Sequence, residues 1–166
     1  MTQGENVTTD ILKRELKCKL KDQFKQKWHA EVNNSSKCIL YKSYKHDLVL
    51  ENYVLFSNDH SRRLITKFRL CNHKFAVERG RYSNIERHRR YCDICNEHIL
   101  GDEYHVLMEC KNPVLTNIRK TTIRKCIKNI NMFTFTKLMS NISENRLFAL
   151  NISKFLQVVS QSFKCI

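Results

Sequence analysis

Apolar residues at Leu12, Leu16, Leu20, Phe24 and Trp28 recur every four positions, the spacing of a stripe along an α-helix. Asp10 suits an N-cap and Asn33-Asn34-Ser35-Ser36 breaks the pattern, so a helix is predicted from about 10 to 32. Lys13, Lys17, Lys21 and Lys25 lie on its flank. Between Cys38 and Phe56 the pattern is ambiguous: Cys38, Leu40 and the tyrosines alternate, whereas Leu48 to Leu55 suits a helix. Ser57-Asn58-Asp59 punctuates, and with Asp59 or Ser61 as cap a helix is predicted over about 62–71, with Leu64, Ile65, Phe68 and Cys71 on its apolar side. Phe75 to Tyr82 reads as irregular chain or short strand. A further helix starts at Asn112-Pro113, proline being at home in a first turn, and carries Val114, Leu115, Ile118, Thr122, Ile123 and Cys126. A short helix is predicted around Leu138. A longer one opens at Ser143-Glu144 and buries Leu147, Phe148, Ile152, Phe155, Leu156 and Val159.

Composition narrows the class. In 166 residues there are three glycines and one proline, too few for the many tight turns of a sandwich or barrel. No Gly-rich phosphate loop, dinucleotide fingerprint or Gly-x-Ser-x-Gly elbow occurs. The first residues lack the apolar run of a signal peptide, and no stretch is apolar for long enough to span a membrane. The expected location is intracellular, nuclear or cytoplasmic, rather than secreted. Thiols there stay reduced, so the eight cysteines point to metal rather than to disulfides.

One segment concentrates that chemistry. Cys92-Asp93-Ile94-Cys95 is followed by nine residues, His105, four more residues and Cys110. Two cysteines separated by two residues chelate one ion across a tight knuckle, and a histidine and cysteine from the returning chain complete a tetrahedron. His105 and Cys110 stand about 140° apart on an ideal α-helix. They converge only if the helix ends near Glu109 and Cys110 curls back, an ending that Asn112 before Pro113 favours. Three thiolates and an imidazole favour one structural Zn2+, with no open position for substrate. His98 is the competing fourth ligand. Cys18, Cys38, Cys71, Cys126 and Cys165 lack ligand spacing and are expected to pack as apolar residues. The fold class is therefore mainly α: a small helical domain interrupted by an irregular or short-β zinc knuckle. Its expected parts are 1–36, 37–115 and 116–166.

Charge divides along the same lines. The formal +14 separates into +2 over residues 1–59, +8 over 60–91, −5 over 92–110 and +9 over 111–166. Two basic arms thus flank an acidic metal segment, and a surplus of this size seeks a polyanion. The first arm holds Arg62, Arg63, Lys67, Arg69, Lys74, Arg79, Arg81, Arg87, Arg89 and Arg90, with Tyr82 and Tyr91 placed to stack on bases. The second holds Arg119, Lys120, Arg124, Lys125 and Lys128. RNA or DNA is the expected partner. No membrane contact is expected.

The run Arg62-Arg63-Leu64-Ile65-Thr66-Lys67-Phe68-Arg69-Leu70, then His73, Glu78-Arg79-Gly80-Arg81-Tyr82 and Asp102-Glu103-Tyr104-His105, leads through the cysteine pattern. Together these residues resemble the zinc-binding C-terminal region of reverse transcriptases from non-LTR retrotransposons, over about residues 37–115. The resemblance implies a module beyond the polymerase thumb that holds template RNA or target DNA, with Cys92, Cys95, His105 and Cys110 as zinc ligands. It departs from the pattern where Lys111-Asn112 separate the last cysteine from Pro113. There is no aromatic-x-Asp-Asp palm motif, so a fragment of an RNA-directed DNA polymerase without catalysis of its own is expected. Two other readings stand beside it. One is a scaffold or retroelement remnant that pairs through the first helix with a polymerase or with itself. The other is a small nuclease using Asp93, Glu97, Asp102, Glu103 and Glu109.

Overall fold

A computed structural model describes residues 3–95, 97–127 and 129–165. The chain forms two compact units, Met1–Ser36 and Lys37–Ile166. The first is one helix, α1 (Gln3–Asn34), which runs through the expected Asp10 cap. Its apolar residues repeat every four positions, whereas a helix turns every 3.6, so the stripe drifts by about 40° per step and winds around the rod. Leu12, Leu16, Leu20 and Phe24 are between 55% and 63% exposed. Cys18 on this helix is exposed, against the expectation that it packs.

The second unit contains α2 (Tyr41–Tyr44), α3 (Asn52–Phe56), α4 (Asp59–Arg69), α5 (Ala76–Tyr82), α6 (Pro113–Thr122), α7 (Met132–Asn141) and α8 (Arg146–Phe163). Asn58, not Asp59 or Ser61, caps α4, its side-chain oxygen accepting from the Ser61 N–H at 2.8 Å. Asn131 and Asn145 cap α7 and α8 in the same way. Residues 37–115 and 116–166 share one core, with α8 packed along α4. Ile65 and Phe68 meet a unit-wide cluster that includes Phe135, Met139, Ile152, Phe155 and Val159, all fully buried. Ser61 and Ser153 sit between α4 and α8, and Ser153 Oγ–H donates to Ser61 Oγ at 2.7 Å. The apolar spacing of α8 holds except at Leu147, which is exposed.

Two expectations are corrected. Residues 76–82 form a helix, α5, instead of irregular chain or strand. Gly80 belongs inside it because the Arg90 side chain crosses at that point: a Cβ there would stand 2.5 Å from Arg90 Cγ. Nor is there a strand among the described residues. The knuckle has a single antiparallel bridge, Tyr91 with Leu100.

Arg69 is the second unit's least expected core residue. It is 2% exposed, with its guanidinium over the rings of Tyr44 and Tyr53 at 4.8 and 5.7 Å. One terminal nitrogen donates to the Met139 carbonyl and the other to Glu51 Oε1 at 2.9 Å. Lys45 Nζ reaches the same carboxylate oxygen at 2.7 Å. A buried charge is tolerated only when paired and hydrogen-bonded, and this one is both.

Candidate metal centre

The knuckle is built by backbone first. Cys92 N–H donates to the Ile99 carbonyl at 2.8 Å and Gly101 N–H to that of Arg90 at 2.9 Å, folding the Cys92–Cys95 turn back on itself. Gly101 is needed for close approach: a Cβ would lie 2.8 Å from Cys92 Cα and 2.9 Å from Ala76 Cβ. Both neighbours are rigid, so Gly101→Ala is expected to destabilise the second unit by about 1–3 kcal/mol, read by urea denaturation. An unchanged denaturation midpoint would contradict the tight packing.

The returning chain begins at Asp102, whose Oδ1 accepts from the His105 N–H at 3.0 Å. Burial pushes the Asp102 carboxyl up from its ordinary range. His105–Glu109 is one turn of π-helix, closed by Cys110 N–H donating to the His105 carbonyl at 2.8 Å. Such an i→i+5 turn brings residues five apart together, which an α-turn would not. This is how the spacing of His105 and Cys110 is met. At Cys110 the backbone becomes extended, at φ −50° and ψ 123°, as the expected exit requires. Asn112 then ties the exit to the knuckle: its Nδ2 donates to the Ile94 carbonyl at 2.9 Å while its oxygen caps α6.

These elements bring the ligand atoms of Cys92, Cys95, His105 and Cys110 within 4.8 Å of one another, and the four can hold a metal ion. Cys92, His105 and Cys110 are buried and Cys95 is half-buried. His105 Nε2 faces the thiols, 3.3 Å from Cys95 Sγ. Its buried Nδ1 has no hydrogen-bond partner, and Glu109 Oε2 lies 3.7 Å away, on the side where an orienting carboxylate is found in many metal sites. The donors shift one another's protons. The hydrogen bond from Cys110, with help from His105, holds the Cys92 thiol down at about 3 although burial opposes it. The same contact with Cys92, and then burial, push Cys110 up. Burial works against a charged His105, but the Cys92 thiolate outweighs it and raises the imidazole. A thiolate already favoured without metal is a fitting donor for a soft divalent ion. His98 is exposed and lies against the Tyr91 ring, outside the cluster.

Behind the cluster stands Arg119, on the last turn of α6. Its terminal nitrogens donate to the carbonyls of Met108, at 3.2 Å, and of Cys110. Sequence reasoning placed Arg119 on a nucleic-acid surface and missed this clamp on the backbone of Cys110. It also missed a buried triad of Cys71, His73 and Glu103, whose donor atoms also lie within 4.8 Å of one another. Here His73 Nε2 and Glu103 Oε1 are 2.6 Å apart and His73 Nδ1 accepts from the Phe75 N–H at 3.3 Å. Both ring nitrogens are thus engaged, so the triad acts as a hydrogen-bonded lock between the end of α4 and the entry to the π-turn. Cys71, at a φ of 53°, occupies a left-handed position usually given to glycine.

The acids of the knuckle are spent on the two arms. Asp93 pairs with Arg79, Asp102 with Arg87, Glu97 with Lys111, and Glu103 with His73. They hold separate partners and do not converge on a hard-metal site among the described residues. Several of the residues predicted to bind nucleic acid have partners within the chain. Arg69 is buried. Arg62 and Arg63 pair with Asp59, Arg81 with Glu78, and Arg89 with Glu86. Arg90 donates to the carbonyls of Ile85 and Val77. Arg81 also lies over the Tyr82 ring at 4.4 Å, and that ring is 72% exposed. Lys67, Lys74, Lys120, Arg124 and Lys125 are exposed, and their side chains have no partner among the described residues. Lys128 lies outside the described residues.

Comparison with protein-family models, with curated proteins and with solved structures finds no match.

Proposed function

We propose that the chain is a nucleic-acid-binding module whose second unit is ordered by one structural Zn2+, of the kind that lies beyond the polymerase thumb in non-LTR reverse transcriptases. The observation that carries this reading is the division of labour among the charges. A largely buried three-thiol, one-imidazole cluster offers four protein donors, a full tetrahedral set for one ion with no position left for substrate. The acids around it staple the arms through Asp93–Arg79, Asp102–Arg87 and Glu97–Lys111. Positive charge is then left unspent on Lys67, Lys74, Lys120, Arg124 and Lys125. Zinc and its pairs set the geometry, and these cations meet phosphate.

Five such contacts predict that log Kd changes with log salt at a slope of about 4.5, a loss of about 500-fold in affinity between 50 and 200 mM. Fluorescence anisotropy with labelled RNA and DNA measures that slope. A flat salt response, or no binding at 50 mM, would sink the proposal. No catalysis is assigned to the module.

One observation favours a second reading. The winding stripe of α1 is exposed from Leu12 to Phe24, and two copies of the chain pairing through it would cover it. Sedimentation at rising concentration decides: a chain that stays monomeric excludes self-association.

A further inference from the structure

Beside the last turn of α6 lies a half-open cavity of about 330 Å³. Its wall carries three cations, Arg119, Lys120 and Arg124, and its floor is apolar, formed by Met108, Ile127 and Ile130. No carboxylate is among its lining residues. Lys120 and Arg124 are exposed and unpaired among the described residues. Arg119 is different: its terminal nitrogens are committed to the carbonyls of Met108 and Cys110, and its Nε–H is buried with no acceptor. Lys120 and Arg124 are therefore the cations of this pocket that an entering anion can meet.

The volume sits at the lower end of the roughly 300–1,000 Å³ usual for small-ligand sites, enough for one ring and one phosphate but not for a duplex. We infer that this cavity takes a single nucleotide of an unpaired strand. Its phosphate meets Lys120 and Arg124, and its base lies on Ile127 and Ile130, beside the buried Met108. The guanidinium and ammonium groups suit phosphate oxygens, and a thioether beside aliphatic side chains suits a flat aromatic ring. The inference rests on the nucleic-acid reading above and narrows it to one place and to single strands. It also differs from stacking on Tyr82 or Tyr91, which lie on the other arm.

The test uses the metal-loaded full chain with labelled oligothymidylate and an abasic strand of equal length. Wild type is expected to bind the abasic strand about tenfold more weakly, the size of one base contact. In K120E/R124E that penalty disappears, whereas in K67E/K74E, which removes the same charge elsewhere, it persists. Overturning results are no abasic penalty in wild type, or one that survives in K120E/R124E. If no strand binds at all, the reading of the previous section fails, and the cavity is judged separately by NMR. Thymidine 5′-monophosphate is expected to shift the Ile127 and Ile130 methyl resonances more than inorganic phosphate does. Unmoved resonances, or equal shifts from both, overturn the site.

Discussion

Replacing Cys110 with serine is expected to abolish stoichiometric zinc in native mass spectrometry and to lower the melting midpoint of the second unit by roughly 10–20 °C. The size follows from linkage: a metal present at a thousand times its dissociation constant stabilises the folded chain by about 4 kcal/mol. For a unit of this length each kcal/mol is worth several degrees. Cys110 is the ligand to choose because it is fully buried and its N–H also closes the π-turn. Cys71 supplies the control. Its thiol belongs to the His73–Glu103 lock, so Cys71→Ala should leave the zinc count at one per chain while costing some stability. Loss of zinc from both variants, or from neither, would contradict the assignment of ligands. Chelation of the wild-type chain should reproduce the serine variant.

The second large effect belongs to Arg69. Arg69→Met is expected to cost about 3–5 kcal/mol, because it leaves the half-buried Glu51 carboxylate with Lys45 as its remaining cation. Arg69→Met combined with Glu51→Gln should recover most of that loss, since removing both charges also removes the unpaired one. Burial tends to raise the Glu51 carboxyl, but hydrogen bonds from Lys45 and Ser143, and then the Arg69 charge, outweigh it and hold its pKa below the ordinary value. The sign follows. With a depressed folded pKa, the contribution of Glu51 is fully present above the unfolded value of about 4.3 and is lost as pH falls through the folded one. Urea denaturation of wild type and Glu51→Gln at a series of pH values should therefore give curves that differ at neutral pH and converge only once the pH has fallen below the ordinary carboxylate range. Arg69→Met should also leave the salt slope of nucleic-acid binding unchanged, unlike Lys120→Glu.

What the sequence discloses depends on how local the cause is. The cluster of Cys92, Cys95, His105 and Cys110 was legible because a two-residue loop between cysteines is chelating geometry within one short segment. The start of α6 at Asn112-Pro113 was legible for the same reason, whereas α8, expected to open at Ser143-Glu144, is capped by Asn145 and leaves Leu147 exposed. Arg69 was not, because a count of charges carries no burial. The partners that bury it, Tyr44, Glu51, Tyr53 and the Met139 carbonyl, are scattered from 16 to 70 positions away. The helix at Ala76–Tyr82 was missed because Gly80 weakens a helix by propensity, and only Arg90 packed across it explains its use. The π-turn was half legible. His105 and Cys110 were seen to need an unusual convergence, but the backbone hydrogen-bond register that provides it is not written in ligand spacing.

That register has a consequence for the rest of the chain. A π-turn is an α-turn holding one residue too many, and everything after it is displaced by one step of helical phase, about 100° and 1.5 Å. Deleting one residue between His105 and Cys110 would still allow two ligands on one face, now at i and i+4. It would also turn the Asn112–Pro113 exit, and with it the side of α6 that bears Arg119 and Lys120. The single extra residue thus works as a phase adjuster: it sets the bearing of a cationic helix against the cysteine–histidine cluster while leaving the cluster's own donors intact.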